Sequence, residues 1–247
     1  MQYDDMHDAY VETGLGRLHF KEHDAAGPCV LFVHGLAAST LSFKRLVAEL
    51  PDAMHVILLD MLGHGLSDAP RIEYSLDAQL RAVHEFIAQR GIAPCYVFGH
   101  SYGALVAASL AHEHATDVKG LVLEDPAGLG ERDMDSAALD AYEERLVRAA
   151  LELNPREYVV RSMVHSAVRG PNEIARMLHG ISLPVMVIWG SDDREFVGSG
   201  DAPGIDYARR LSEGINGGRF ELIQGAGHVP HFTHAREICR LLAGFVA

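Results

Sequence analysis

The chain has 247 residues, of which 48% are hydrophobic and 22% are charged, a balance typical of a folded globular domain and not of a disordered chain. Its 21 basic and 34 acidic side chains give a formal net charge of −13, which argues against a nucleic acid or an anionic membrane surface as its partner. No apolar run approaches the roughly 20 residues that span a bilayer, and the N-terminal segment lacks the apolar core of a signal peptide. Cys29, Cys95 and Cys239 lie in apolar stretches and indicate free thiols in a reducing compartment, so we expect a cytoplasmic protein.

Short apolar segments alternate with amphipathic ones from the beginning of the chain. Residues 10–13 and 17–22 flank a Gly-Leu-Gly turn and predict a β-hairpin. Segments rich in Val, Ile and Leu predict strands buried on both faces at residues 29–33, 56–59, 95–98, 120–124, 184–189 and 219–223. Helical patterns lie between most of these strands and after the last one. The alternation predicts a three-layer α/β/α sandwich with its ligand site at the carboxyl ends of the strands.

Residues 127–183 break this alternation, because they contain no convincing strand pattern. Apolar residues at helical spacing predict three helices there instead. The first of these stripes consists of Leu139, Tyr142, Leu146, Ala149 and Leu153. We therefore predict an all-helical lid at 127–183, inserted into a core that is formed by 1–126 and 184–247.

A Gly-x-Ser-x-Gly sequence stands at residues 99–103, directly between a predicted strand and a helical pattern. A nucleophile on a sharp strand-to-helix turn needs small neighbours, and Gly99 and Gly103 supply that room. Such a turn lifts the Ser101 hydroxyl above the edge of the sheet. We predict that Ser101 is a catalytic nucleophile. The alternative is a glycine-rich turn that only packs a helix against a strand.

Serine needs a base to act as a nucleophile, and the chain has 15 histidines from which to choose. His228 follows the last predicted strand and precedes the final helical pattern, which places it at the same strand ends as Ser101. We therefore predict that His228 is the base. His231 and His234 are the alternatives, and they are expected to begin or cap the last helix.

The base in turn needs a carboxylate that fixes its tautomer and stabilises the imidazolium. Asp192 and Asp193 both follow the preceding strand, again at a carboxyl end. Asp193 is the predicted acid, and Asp192 is expected to cap a turn or helix. Asp125, just past the strand at 120–124, is a further candidate for the acid.

Backbone N–H groups near the nucleophile are the expected donors to an oxyanion. The amide of Tyr102 qualifies because it follows Ser101, and the amide of Leu36 qualifies because it lies in the loop after the strand at 29–33. His34 in that loop is expected to make a structural hydrogen bond. His64 lies in a glycine-rich loop after another strand, where it is either loop architecture or a second base.

Five segments share their residues and their order with a known family: His34-Gly35, residues 60–67, residues 99–103, Trp189-Gly190 with Asp193, and Gly227-His228. On these segments the chain resembles the α/β-hydrolase fold superfamily, in its serine-nucleophile branch with a helical lid. The resemblance implies an eight-stranded, mostly parallel sheet, a Ser101–Asp193–His228 triad and no cofactor. Serine at the nucleophile position departs from the dehalogenase and epoxide-hydrolase branches, which use aspartate there.

The chain also lacks the sequence patterns of other chemistries. It has no His-Glu-x-x-His and no paired Cys-x-x-Cys, so no metal is predicted. No Gly-x-Gly-x-x-Gly follows the first strand, so a dinucleotide site is not expected either.

Side chains on the predicted lid are candidates for the walls of a substrate pocket. The candidates are Met134, Tyr142, Tyr158, Met163 and Met177. The alternative is that these residues serve ordinary packing. An apolar underside of the lid would suit an apolar or aromatic acyl or alkoxy group.

The predicted function is a serine hydrolase, similar to carboxylesterases, that cleaves a small, mostly apolar carboxylic ester or lactone. One alternative is a carbon–carbon bond hydrolase that acts on a diketone-like ring-cleavage product with the same triad. Another is a ligand-binding receptor that keeps the hydrolase fold. Acyl transfer and perhydrolysis at the same site also remain open.

Overall fold

The computed structural model describes residues 1–127, 135–170, 174–193, 203–215 and 217–247. Among these residues, none of the helices combines the length and the apolar character that a bilayer span requires.

Eight strands form one sheet in the order β1-β2-β4-β3-β5-β6-β7-β8. Their bounds are β1 (His7–Thr13), β2 (Gly16–His23), β3 (Cys29–Val33), β4 (His55–Leu59), β5 (Cys95–His100), β6 (Val118–Glu124), β7 (Val185–Gly190) and β8 (Arg219–Ile223). Strands β1 and β2 form the predicted antiparallel hairpin, and β2 also pairs antiparallel with β4. All other neighbours pair in parallel. The eight-stranded, mostly parallel sheet is therefore confirmed.

Nine α-helices occur in the described parts of the chain. They are α1 (Lys44–Val47), α2 (Leu76–Arg90), α3 (Tyr102–Glu113), α4 (Ser136–Leu153), α5 (Glu157–Arg169), α6 (Ile174–Leu178), α7 (Pro203–Glu213), α8 (Pro230–Thr233) and α9 (Ala235–Val246). Local signals set several boundaries, as in α2. Its first turn is capped by Ser75, whose Oγ accepts from the Ala78 N–H at 3.2 Å, and it ends at Gly91 in the left-handed region at φ 63°.

The central strands are apolar along most of their length because both faces of the sheet are buried. Along β3, Leu31 and Val33 belong to a core cluster on one face, whereas Val30 and Phe32 belong to a cluster on the other face. Side chains of α2 and α3 complete the first cluster, and those of α1 and α9 complete the second. Both faces of the central strands are covered by helices, so most side chains along them are apolar.

Helices α4, α5 and α6 lie between β6 and β7 in the chain, where the sequence predicts only helices. Val159 and Met163 of α5 are buried in the first core cluster. Val147 of α4 and Val160 of α5 form a small separate cluster that also contains Ala37 of the loop after β3. This helical block therefore packs directly onto the core at the carboxyl ends of the strands.

Candidate active site

Ser101 occupies the sharp turn between β5 and α3, with φ 51° and ψ −115°. This backbone conformation is strained for a residue other than glycine. The Ser101 N–H donates to the Glu124 carbonyl at 2.9 Å, which ties the turn to the end of β6. A Cβ on Gly99 would lie 2.5 Å from the Gly103 carbonyl oxygen, and one on Gly103 would lie 2.2 Å from that of Val33. Only glycine therefore fits at positions 99 and 103.

His228 lies in the loop between β8 and α8 and joins two other predicted site residues. Its Nε2 is 3.0 Å from Ser101 Oγ, and its Nδ1 is 2.8 Å from Asp193 Oδ2. A carboxylate can only accept, so Nδ1 carries the proton and Nε2 presents its lone pair to the serine hydroxyl. The Asp193 side chain is fully buried and that of His228 is 9% exposed. The hydroxyl, imidazole and carboxylate thus form one hydrogen-bonded chain.

The two other candidate acids are placed differently. Asp192 is exposed, and its side chain accepts from the neighbouring Ser191 hydroxyl at 3.1 Å. Asp125 is completely buried, and its Oδ1 accepts from the Gly190 N–H at 3.0 Å. Of the three candidates, Asp193 is therefore the one that bonds His228, and Asp125 lies close by.

The two predicted oxyanion donors lie beside Ser101. Tyr102 is the first residue of α3, where backbone N–H groups have no acceptor within their own helix. Leu36 follows Gly35, and a Cβ on Gly35 would lie 3.3 Å from Ser101 Cβ. The loop after β3 therefore runs against the serine, and Leu36 and Ser101 line the same cleft.

Two buried histidines hold this loop in place. His34 Nδ1 donates to the Gly35 carbonyl at 2.7 Å, and its Nε2 accepts from the Met61 N–H at 3.0 Å. His64 Nε2 accepts from the N–H of Ala37 at 3.1 Å, in a residue with φ 63°. Burial lowers the pKa of His34 and lowers the pKa of His64 to about 3, so both rings stay neutral and can accept. The structure supports loop architecture for His64.

We expect His64→Ala to reduce kcat for ester hydrolysis by about 10- to 100-fold with little change in KM, because the loop that carries the Leu36 amide loses its support. The measurement is steady-state kinetics with an aryl ester. His179→Ala, at an exposed position, is the control and should leave kcat unchanged. Wild-type kcat in the folded His64 variant would contradict this role.

A cleft of about 630 Å³ opens over Ser101 and His228. Its lining consists of Gly35, Leu36, Ala37, Ala38, Ser39, Leu41, Ser42, His100, Ser101, Leu146, Ala149, Ala150, Leu153, His228, Val229 and Phe232. These described residues include no Asp, Glu, Lys or Arg. The cleft lining is therefore mostly apolar, and its polar side chains are three serines, Ser39, Ser42 and Ser101, and two histidines, His100 and His228.

Of the five lid residues predicted to touch substrate, the four that the structure describes do not line this cleft. Met134 lies outside the described residues. The Tyr158 hydroxyl donates to the Ala69 carbonyl, in the segment between β4 and α2. Met163 packs on Gln79 of α2, whose Nε2 lies 3.8 Å from its sulfur.

Of the remaining two, Met177 is partly buried against the core and Tyr142 is buried. The sulfur of Met177 accepts from the Ser109 hydroxyl of α3 at 3.3 Å. Tyr142 is buried on α4, with the Arg145 guanidinium 5.2 Å from the centre of its ring. Size and apolarity select buried side chains in a helix, but they do not say which neighbour each one faces.

The roof of the cleft is a patch on α4 that the choice of large side chains missed. It carries Leu146, Ala149, Ala150 and Leu153. Three of these belong to the apolar stripe that predicts the helix, so the signal was present in the sequence. Ala149 is a small residue on that stripe, and it lines the cleft that contains Ser101.

A buried acid–base pair behind the site was also missed. His231, within α8, donates its backbone N–H to Glu124 Oε1 at 2.8 Å, and its ring Nδ1 bonds Glu124 Oε2. Both side chains are fully buried. Burial raises the pKa of Glu124 to about 7 and lowers the pKa of His231 to about 3, so burial disfavours the charged form of each. The pair anchors the segment after His228 to the end of β6.

We expect Glu124→Ala to lower the free energy of unfolding by about 3 kcal/mol, because it leaves a buried backbone N–H and a buried imidazole without their partner. Glu124→Gln retains an acceptor for the N–H and should cost clearly less. Urea unfolding followed by circular dichroism measures both. Equal stability of the Ala variant and the wild type would contradict the anchoring role.

Side chains with metal-ligand chemistry meet at three places in the described part of the chain. Two of them are the hydrogen-bonded groups around Glu124 and around Asp193. The third joins His84, His114 and Asp117 at the far end of α3, where the two imidazoles stack at 3.6 Å and His84 Nε2 lies 3.2 Å from Asp117 Oδ2. It lies at the opposite end of that helix from Ser101.

Comparison with known proteins places this geometry in a family. A family model for the α/β-hydrolase fold matches residues 28–164. The monoacylglycerol lipase ABHD6 of Bos taurus is 26% identical over 270 residues, which cover 92% of this chain and 78% of that protein. Lipase 1 of Psychrobacter immobilis is 24% identical over 216 residues, which cover 74% and 68%.

Solved structures show the same fold. An esterase from Thermogutta terrifontis superimposes with a TM-score of 0.80 at 18% identity, over 96% of this chain and 97% of that one. An enol-lactonase from Burkholderia xenovorans LB400 does so with a TM-score of 0.76 at 20% identity, over 96% and 99%. The chain belongs to the α/β-hydrolase fold family.

Proposed function

We propose that the protein is a serine hydrolase that cleaves a small, mostly apolar carboxylic ester or lactone through an acyl-enzyme on Ser101. The observation that carries this proposal is the chain of hydrogen bonds from Asp193 through His228 to Ser101, at 2.8 and 3.0 Å, at the floor of an apolar cleft. In this family the same constellation of groups supports acyl transfer to water.

The proposed reaction begins when Ser101 Oγ attacks the ester carbonyl and passes its proton to His228 Nε2. The backbone N–H groups of Leu36 and Tyr102 stabilise the oxyanion of the tetrahedral intermediate. Asp193 holds the imidazolium in place, and His228 then protonates the leaving alcohol. A water molecule, deprotonated by His228, releases the acyl group from Ser101 and restores the site.

The cleft supports the choice of substrate class. Its volume of about 630 Å³ suits a ligand of small to medium size. Its described lining offers no cation for an acid group, whereas Leu146, Leu153 and Phe232 offer apolar surface to an acyl or alkoxy chain. The lipases among the curated relatives support the ester bond as the target.

The proposal extends to the division of the chain. Residues 127–183 act as a helical lid, and 1–126 with 184–247 form the catalytic core. The contribution of α4 to the cleft supports this division, because Ala150 and Leu153 of that helix line the same cleft as Ser101.

The decisive experiment treats the purified protein with a fluorophosphonate and maps the adduct by mass spectrometry. The expected result is a single adduct on Ser101. A parallel panel of p-nitrophenyl esters of increasing acyl length, lactones and vinylogous diketones identifies the substrate class. We expect turnover of esters or lactones. Turnover restricted to diketones would replace the proposal by carbon–carbon bond hydrolysis, and an adduct or acyl burst without turnover would indicate a ligand receptor.

A further inference from the structure

Asp125 is a buried carboxyl group beside the proposed triad that the proposed reaction does not use. It is the residue directly after β6, and its backbone adopts φ 40°, a region that residues other than glycine seldom occupy. Its N–H donates to the Ile188 carbonyl at 2.9 Å, and its Oδ1 accepts from the Gly190 N–H at 3.0 Å. The first of these hydrogen bonds to β7 holds the strained backbone, and the second holds the side chain in one orientation.

This orientation brings Asp125 next to the acid end of the triad. Carboxylate oxygens of Asp125 and Asp193 and a ring nitrogen of His228 all lie within 4.8 Å of one another. No donor among the described residues faces Asp125 Oδ2. The Asp193 carboxyl group is close enough to the Asp125 side chain to raise the pKa of Asp125. Because ionised carboxylates only accept, that contact becomes a hydrogen bond only when one of the two groups carries a proton.

The surroundings decide which group carries it. Asp193 accepts from His228 Nδ1 at 2.8 Å, which favours its ionised form. Asp125 is fully buried, with Glu124 beside it in the chain and the Gly190 N–H as the one donor to its side chain among the described residues. Burial, together with the charges of Glu124 and Asp193, raises the pKa of Asp125 well above its ordinary value. His100 and His231 lie beyond Glu124. Both are buried, and burial lowers the pKa of each to about 3.

We propose that Asp125 is a positioning residue that stays protonated and donates a hydrogen bond from Oδ2 to the Asp193 carboxylate. Asp193 is then held from both sides, by His228 Nδ1 and by Asp125, and a single negative charge faces the imidazole. The role rests on the proposed function, because it serves the orientation of His228. It differs from the alternative in which Asp125 is itself the ionised acid.

The test compares Asp125→Asn, Asp125→Ala and Asp193→Asn in the full-length protein. The rate of fluorophosphonate labelling of Ser101 is measured from acid to alkaline pH. An asparagine can donate from its amide to Asp193, so Asp125→Asn should stay within about threefold of the wild type, with the acid limb of the profile at the same midpoint. Asp125→Ala should label about 10- to 100-fold more slowly, because Asp193 loses the hydrogen bond from Asp125.

Two results would overturn the inference. If Asp125 were ionised, Asp125→Asn would remove a charge beside His228, move the acid midpoint down by about one pH unit or more, and label as slowly as Asp193→Asn. If both Asp125 variants behaved like the wild type, the residue would play no part in positioning. Should Asp125→Ala fail to fold, the rate and midpoint of Asp125→Asn still decide between these outcomes.

A measurement that does not depend on activity separates this inference from the proposed function. The infrared difference spectrum between the wild type and Asp125→Asn at neutral pH should contain the carbonyl stretch of one protonated carboxyl group. Loss of an ionised carboxylate band instead would contradict the inference. Failure of Ser101 to react in the wild type would count against the proposed function and leave the infrared result intact.

Discussion

Replacement of Ser101 by alanine is expected to reduce kcat for an activated ester by about 10⁶-fold. The hydroxyl oxygen is the atom that forms the proposed acyl-enzyme, and its His228 partner lies 3.0 Å away, so the variant loses the covalent step itself. Oxyanion donors and the cleft remain, which leaves a residual rate of about 10³ above that in water. The measurement is kcat for a p-nitrophenyl ester, together with the loss of the fluorophosphonate adduct.

A matched control lies in the same cleft. Ser42 also lines it, and its hydroxyl donates to the Ser39 carbonyl at 2.9 Å. Ser42→Ala should therefore keep kcat within a few-fold of the wild type. Circular dichroism and thermal unfolding of both variants show whether the fold persists. Undiminished turnover in a folded Ser101→Ala protein would end the proposed mechanism.

The second large effect is expected for Asp193→Asn, with a decrease in kcat of about 10⁴-fold. The carboxylate now accepts from His228 Nδ1 and leaves Nε2 free to accept from Ser101. An amide can present its NH₂ group to Nδ1, which places the ring proton on Nε2 and prevents it from acting as a base. Because the two side chains have nearly the same volume, we expect the fold to survive.

Asp192→Asn is the matched control for this variant. Asp192 is the preceding residue, but its side chain is exposed and bonds the Ser191 hydroxyl. Its replacement should leave kcat unchanged. If Asp193→Asn retained more than about a tenth of the activity, Asp193 would not be the group that orients His228.

The sheet and the turn at Ser101 were predictable because their signals are local. Strands β3 and β8 begin and end at the predicted residues. In β3 the signal is clear because both of its faces are buried and Pro28 and Gly35 lie near its ends. The glycines at 99 and 103 predict the turn because a side chain at either position collides with backbone. Chain order then places Asp193 and His228 at the ends of neighbouring strands, where the structure finds them within hydrogen-bonding distance of each other.

Partners that meet across the fold were not predictable in this way. Glu124 ends an apolar strand, and nothing nearby in the chain says that it bonds His231 more than 100 residues later. The partners of the lid residues Tyr158 and Met163 could not be predicted for the same reason. Both side chains are large, but Tyr158 faces the segment before α2 and Met163 faces α2. A periodic pattern identifies a buried face, while its partner depends on tertiary packing.

The tie between the helical block and the core has a consequence for access to the cleft. Asn154, at the end of α4, donates from Nδ2 to the Gly63 carbonyl at 3.0 Å, and the Ser162 hydroxyl of α5 accepts from the Tyr74 N–H at 2.7 Å. These bonds pin the hairpin of α4 and α5 near its bend. A hairpin pinned near its bend pivots about the bend, so we expect widening of the entrance to be greatest toward Ser136 and least beside Leu153. We therefore expect a bulky ligand to enter the cleft from the side where α4 begins.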